Sequence, residues 1–266
     1  MTVTRLEITA REPLLDGKPF GVTGPYEVLH GTVTFAVDPA HPCHPNITDL
    51  DKAPRTAAGK VEWWADYIVL QPANPARGNR RLFFEVVNRG RIRAFRMFDG
   101  VAETPNLTRE EHIGNGFLLQ QGYALAWCGW QWDVMRVEGM LGTGVPQARA
   151  GDTPVSGHLL CQWWPNATTP TLLLADRMHQ PYPVADVTEP DAVLTVREHE
   201  NGPRQVFPAT NGASPAWTEA HRCQLPFLFG WRQDFRLARS TSVSTAPSMP
   251  QWRGLASWEY GIWSRT

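Results

Sequence analysis

The chain is poor in the features that announce whole classes of protein. Its four cysteines, Cys43, Cys128, Cys161 and Cys223, are far apart and include no C-x-x-C, which excludes a disulfide framework and a cysteine-based zinc module and leaves reduced thiols as the expectation. Neither charge sign is in excess: Lys and Arg total 25 against 26 for Asp and Glu, a net −1, so the basic footprint that nucleic acid or an anionic membrane demands is missing. No apolar run approaches the ~20 residues of a membrane span. The opening MTVTRLEITAR holds no apolar h-region, so a cytoplasmic location is expected. No internal repeat is evident. With 266 residues, 42% of them hydrophobic, a proper core is affordable.

The chemistry concentrates between Arg80 and Asp133. Two short apolar runs, Leu82 to Val87 and Tyr123 to Cys128, are bounded by turn signals and read as strands buried on both faces. Between them, Thr108 and Glu111 form a possible capping box, Glu110 and Glu111 suit a helix N-terminus, and Gly122 falls where a left-handed C′ residue is wanted. Ile113, Phe117 and Gln121 would share one helical face, although Gly114 and Gly116 weaken its middle. The segment therefore reads as a βαβ unit with a parallel strand pair. Each strand ends in a polar turn, Asn88-Arg89-Gly90 and Gly129-Trp130-Gln131-Trp132-Asp133, and ligands of open α/β sheets gather beyond such carboxyl ends.

From Thr4 to about Pro72 the pattern is β-rich, and the alternation Glu27, Leu29, Gly31, Val33, Phe35, Val37 predicts a strand with one wet face. Residues from about 152 to 218 read as a small antiparallel β insertion. From Leu225 onward Ser, Thr, Arg and Trp crowd together without helix or strand period, so 224–266 is expected to be an aberrant, disordered tail.

Gly24-Pro25-Tyr26-Glu27, Val37-Asp38-Pro39, Ile47-Thr48-Asp49-Leu50, Ala53-Pro54, Gly59-Lys60-Val61-Glu62, Asn88-Arg89-Gly90 and Gly122-Tyr123 through Gly129-Trp130-Gln131 together resemble a family of bacterial α/β-hydrolase-domain proteins, usually much longer than this chain. The likeness runs over about residues 15 to 223. It implies an α/β fold: an incomplete α/β-hydrolase-type sheet with an inserted β region, residues 1–223 being the N-terminal part of the domain. It also implies serine-dependent hydrolysis of an ester or related acyl bond as the parent activity, on a small-molecule ester substrate and without a cofactor. The family's nucleophile would come later, on a G-x-S-x-G elbow followed by an acid and a histidine. No G-x-S-x-G is present, and Ser156-Gly157 lacks the first glycine, so the chain is expected to be inactive alone. An incomplete sheet should expose a hydrophobic edge and depend on a partner, which could be a downstream chain carrying the missing half.

Asn88-Arg89-Gly90 is the oxyanion-loop candidate, because a backbone N–H aimed at developing negative charge stabilises a tetrahedral intermediate. The competing reading is a tight turn whose glycine takes positive φ. Gly129, Trp130, Gln131, Trp132 and Asp133 could line a pocket, or the tryptophans could cap the sheet end. Asp133 reads as a cap or turn residue. Asp38, His41, Cys43, His44 and Asp49 cluster in sequence, but Pro39, Pro42 and Pro45 favour an extended loop over a metal cage, and no metal is expected. His112 and His221 are isolated. A non-catalytic small-ligand binding or interaction module, with a genuine tail, is the rival reading.

The tail carries its own test. Rereading the codons of Gln251 through Trp263 from each third base forces Gly at Trp258-Glu259 and permits an amphipathic helical segment. A frameshift between Cys223 and Phe229 is the expectation. The gene, sequenced from the codon for Cys223 onward in all frames, should continue in an alternative frame into a helix and a G-x-S-x-G-like elbow. Stop codons closing both other frames would return the tail to the chain.

Overall fold

The computed structural model describes residues 1–101 and 107–158, and beyond them segments 161–163, 171–175, 179–183, 193–197, 199, 201–206, 222–224, 234–237 and 242–244. The main sheet has seven strands: β1 (Thr2–Pro13), β2 (Pro19–Phe20), β3 (Gly24–Val37), β4 (Val61–Pro72), β5 (Leu82–Val86), β6 (Ala124–Cys128) and β7 (Thr143–Gly144). Its order is β1-β3-β4-β6-β5, with β2 beside β3 and β7 beside β4. All pairs are antiparallel except β5 and β6, which run parallel from Leu82 opposite Ala124 to Val86 opposite Cys128.

This corrects the expected fold class. Among the described residues strand accounts for 41% and helix for 15%, with two short α-helices, α1 (Ala94–Asp99) and α2 (Phe117–Gln120), so the chain is a mostly-β mixed sheet and not an α/β-hydrolase-type sheet. The helix read between Thr108 and Gly122 fails for a local reason. Gly114 and Gly116 take φ of 65° and 68°, which breaks the path into a 3₁₀ turn, Glu110–His112, and the single turn of α2. Arg109 rather than Thr108 caps that turn, and its N–H donates to His112 Nδ1 at 3.3 Å. Ile113 is buried while Phe117 is exposed, so they do not share a face. The stop at Gly122 is as read: its φ is 77°, its N–H donates to Leu119 O and the next N–H, of Tyr123, to Leu118 O, a Schellman ending.

The two-sided burial read for the parallel strands is also corrected. Phe83, Glu85 and Val87 face α1 and the core, but Leu82, Phe84 and Val86 are 62%, 55% and 52% exposed, because β5 is the sheet's last strand and nothing described covers its second face. No residue of β3 is fully exposed, with β1 and β4 flanking it from Glu27 to Ala36; the wet face is only half wet.

The core joins Leu14 and Phe20 of the N-terminal strap to Val28, Ile68, Leu70, Leu125 and Trp127 of the sheet and to Phe95, Ile113, Leu118 and Leu119 of the crossover. Tyr26 threads it and ends in hydrogen bonds from its hydroxyl to Leu119 O (2.9 Å) and Tyr123 O (3.0 Å). Burial raises that phenol's pKa, in keeping with a hydroxyl that stays a donor.

Short strands at Thr153–Pro154, Ser156–His158, Gln162–Trp163, Thr171–Leu173, Leu194–Arg197 and Gln205–Val206 lie within the stretch read as a β insertion. Of the tail, Gln224 ends the strand Arg222–Gln224, segments Asp234–Leu237 and Ser242–Ser244 are strands, and the rest of 225–266 lies outside the described residues.

Tyr26→Phe removes the hydroxyl donor from Tyr123 O and from Leu119 O, the latter keeping the Gly122 N–H, without changing shape. It should lower unfolding free energy by about 2 kcal/mol, seen as an earlier denaturation midpoint at unchanged slope.

Candidate functional site

The parallel pair delivers both polar turns to one end of the sheet. Arg89 N–H donates to Gln131 Oε1 at 2.7 Å, Trp130 Nε1 donates to Val87 O at 2.6 Å, and Leu141 N–H donates to Gly90 O at 2.9 Å. Asn88, Arg89, Gly90, Gly129, Trp130 and Gln131 therefore form one constellation. Arg89 and Gly90 are both left-handed, with φ of 53° and 79°. At Gly90 a Cβ would come within 2.7 Å of Val134 Cγ1 and 2.9 Å of Leu141 O, so glycine is required sterically as well as conformationally.

Beneath the first turn lies a residue the sequence reading passed over. Glu85 is 8% exposed, and its carboxylate accepts from Arg93 N–H (2.9 and 3.1 Å), Ala94 N–H (2.8 Å) and Trp127 Nε1 (2.6 Å). Arg93, the N-cap of α1, offers no side-chain cap of its own, so Glu85 satisfies the first amides of that helix from the neighbouring strand. Trp127, fully buried, needs an acceptor for its indole N–H and finds it there. Burial pushes the Glu85 carboxyl above its ordinary value of 4.5, with the bonds from Trp127, Ala94 and Arg93 pulling back. The signal was a lone acid in the apolar run Leu82–Val87, which burial obliges to find donors.

The second turn opens a loop that is clamped at its base by Asp66 of β4. Gly129 N–H donates to Asp66 O (2.8 Å), Asp66 N–H to Gly142 O (2.9 Å), and Gly142 N–H to Asp66 Oδ2 (3.0 Å). Arg136 closes the clamp with 3.1 Å to Asp66 Oδ2 and 2.8 Å to Thr143 O, its guanidinium 5.2 Å from the Trp64 ring. A Cβ on Gly129 would meet Gly142 O at 2.1 Å, so the two ends of the loop cross where only glycine fits. Burial, then the nearby Asp66, raises the Cys128 thiol to about 11, which leaves it protonated and unreactive at neutral pH.

Trp132 and Asp133 face away from this constellation toward segment 179–183. Trp132 meets Tyr182 edge-on, ring centroids 5.6 Å apart, and buried Asp133 accepts the Tyr182 hydroxyl through Oδ2. His179 Nδ1 stands 3.4 Å from the same oxygen, without hydrogen-bond alignment. The pocket candidates thus divide: Gly129, Trp130 and Gln131 join the first turn, while Trp132 and Asp133 anchor a distant segment. No local pattern could have paired Asp133 with His179 and Tyr182.

The Arg89 amide of the oxyanion-loop candidate has an oxygen acceptor at 2.7 Å, the distance an oxyanion would take. Gln131 fills that place. In the loop read for metal spacing, His41 Nδ1 accepts from Cys43 N–H at 3.2 Å, and among the described residues no group of three or more His, Cys, Asp or Glu could hold a metal ion. No described helix is long and apolar enough to cross a membrane. Compared with protein-family models, curated proteins and solved structures, the chain matches none.

For a carboxyl raised above its ordinary value, folding favours the protonated form; its stabilisation is full below 4.5 and is lost as pH rises through the folded-state value. Denaturation of wild type and Glu85→Gln from about pH 4 to about pH 7 should therefore show wild-type stability falling relative to the variant as pH rises.

Proposed function

We propose that this chain carries the oxyanion-loop side of a serine-dependent acyl-ester hydrolase and does not turn over ester by itself. The reading rests on the loops and not on fold class. The observation that carries it is the pair of left-handed residues Arg89 and Gly90, whose turn is packed against Gln131 at the carboxyl ends of a parallel strand pair and braced from below by Glu85. A backbone donor held so rigidly is in place before charge develops, with the oxyanion taking the position of Gln131 Oε1, and such donors are worth about 10²-fold or more in rate. The missing element is the nucleophile: Ser156-Gly157 lies on a short strand, Ser156–His158, not on a strand-to-helix elbow. A cytoplasmic setting and a second, downstream-encoded chain supplying the serine complete the reading.

One observation favours a second reading. Gln131 already satisfies the Arg89 amide, so the same turn would suit a non-catalytic small-ligand binding module in which an amide- or carboxylate-bearing ligand displaces Gln131 beside exposed Trp130.

The purified chain, given a chromogenic short-chain ester, should release no product above the buffer rate. Combined with the polypeptide encoded downstream, it should gain hydrolysis that a serine-directed phosphonate abolishes. Phosphonate-sensitive turnover by this chain alone would overturn the half-site reading. Saturable tryptophan fluorescence change without turnover in either preparation would put the binding module ahead.

A further inference from the structure

Between the N-terminal strap and the loop that follows the second turn, the core face of the sheet runs out into an open cavity of about 560 Å³, inside the ~300–1,000 Å³ usual for small-molecule sites. Val28, His30 and Thr32 alternate along β3 to make its floor, with Ile68 of β4 opposite His30. Leu14 of the strap and Met140 of the loop, both buried, wall it. The His30 carbonyl accepts from Thr9 Oγ1, but its half-buried imidazole makes no hydrogen bond among the described residues, which leaves a ring nitrogen able to accept from a ligand N–H.

Charge decides what such a cavity takes. Its described lining holds Glu12, Asp16, Asp66 and Glu138 and neither lysine nor arginine. Asp66 is answered by Arg136, and the cations nearest in sequence are committed elsewhere, Arg11 to Glu27 and Lys18 to Glu110. Glu12, Asp16 and Glu138 are exposed and have no ion-pair partner among the described residues. These acids do not converge on an inorganic ion, since no group of three or more His, Cys, Asp or Glu among the described residues could hold a metal. Carboxylates spread around the mouth of a cavity with an apolar floor suit an organic cation instead: its carbon body covers Val28, Ile68, Leu14 and Met140, and its ammonium stays hydrated among the acids.

We propose that this cavity binds a small organic amine with an apolar body, the body on the β3–β4 face and the ammonium held by Glu12, Asp16 and Glu138. The proposal stands apart from the ester reading, because its residues belong to neither polar turn and its ligand needs no acyl bond.

The test titrates the full chain with dansylcadaverine, a naphthalene body carrying a primary ammonium, read by fluorescence anisotropy. Two further probes keep the body, one with the amine acetylated and one with a carboxylate in its place. Saturable binding of the amine is expected, about tenfold tighter than the acetylated probe, tighter still than the carboxylate, and weakened by added salt. The triple variant Glu12→Gln, Asp16→Asn, Glu138→Gln, at three exposed positions, should lose about tenfold for the amine and nothing for the acetylated probe. Phenethylamine should displace the probe, and calcium ion at the same concentration should not. Equal binding of the three probes, no saturable binding, displacement by calcium, or undiminished amine binding by the folded triple variant would each overturn the proposal. The probe series and the calcium competition on the unaltered chain decide the matter even if that variant fails to fold.

Discussion

One buried carboxylate holds the functional end of this molecule together. Glu85 of β5 takes the indole N–H of Trp127 from β6 and the two backbone N–H groups that open α1, so a single side chain couples two strands, the helix and the turn between them. Each partner is a donor that burial would leave unsatisfied: Trp127 is fully enclosed, and the first amides of a helix have no acceptor of their own. The turn Asn88-Arg89-Gly90 lies between these anchors, with Glu85 three residues before it and Arg93 three residues after. Its left-handed geometry is therefore imposed from below before any ligand is considered.

Asp66 performs the same office for the second loop from the adjacent strand. Its backbone and carboxylate together grip Gly129, Gly142 and Arg136, so the long excursion from Gly129 to Gly142 leaves and returns at one point. Glycine stands at both positions for different reasons: at Gly129 a Cβ would run into the backbone of Gly142, and at Gly142 it would run into the Arg136 guanidinium. Two acids, on strands that flank β6 from either side, thus set the two loops, and the contact of Arg89 with Gln131 is the consequence of both being fixed. A loosened Glu85 or Asp66 would blur that contact without either residue touching a ligand.

The parts of this arrangement legible in the sequence are those with local chemistry. The parallel pair follows from two apolar runs joined by a crossover, the Gly122 stop from its left-handed requirement, and the two loaded turns from polar residues directly after apolar runs. Three things were not legible. The helix between the strands looked plausible from its acids and its apolar spacing, but two glycines at positive φ outweigh a capping box in so short a segment. The hydrolase-type sheet followed from a resemblance and did not survive the small share of helix. The partnership of Asp133 with His179 and Tyr182 depends on the path of the intervening chain, which no local pattern encodes. Glu85 was legible and overlooked: one acid in an apolar strand is itself a demand for buried donors.

The two edges of the sheet show how differently a strand end can be finished. β1 is a twelve-residue edge in which Thr, Arg and Glu stand among the exposed Val3, Leu6 and Ile8, broken by register shifts between Val3 and Arg5 and between Ile8 and Ala10. Charge and irregularity of that kind blunt edge-to-edge association. β5 has neither: its five residues are regular, and the one charge among them, Glu85, points into the core where it cannot guard the edge. The acid that would ordinarily protect the edge is the one needed to hold the turn. The demand for a buried acceptor beneath Arg93 and Trp127 thus leaves an apolar edge, so that bracing the loop and baring the edge are two results of one residue's placement.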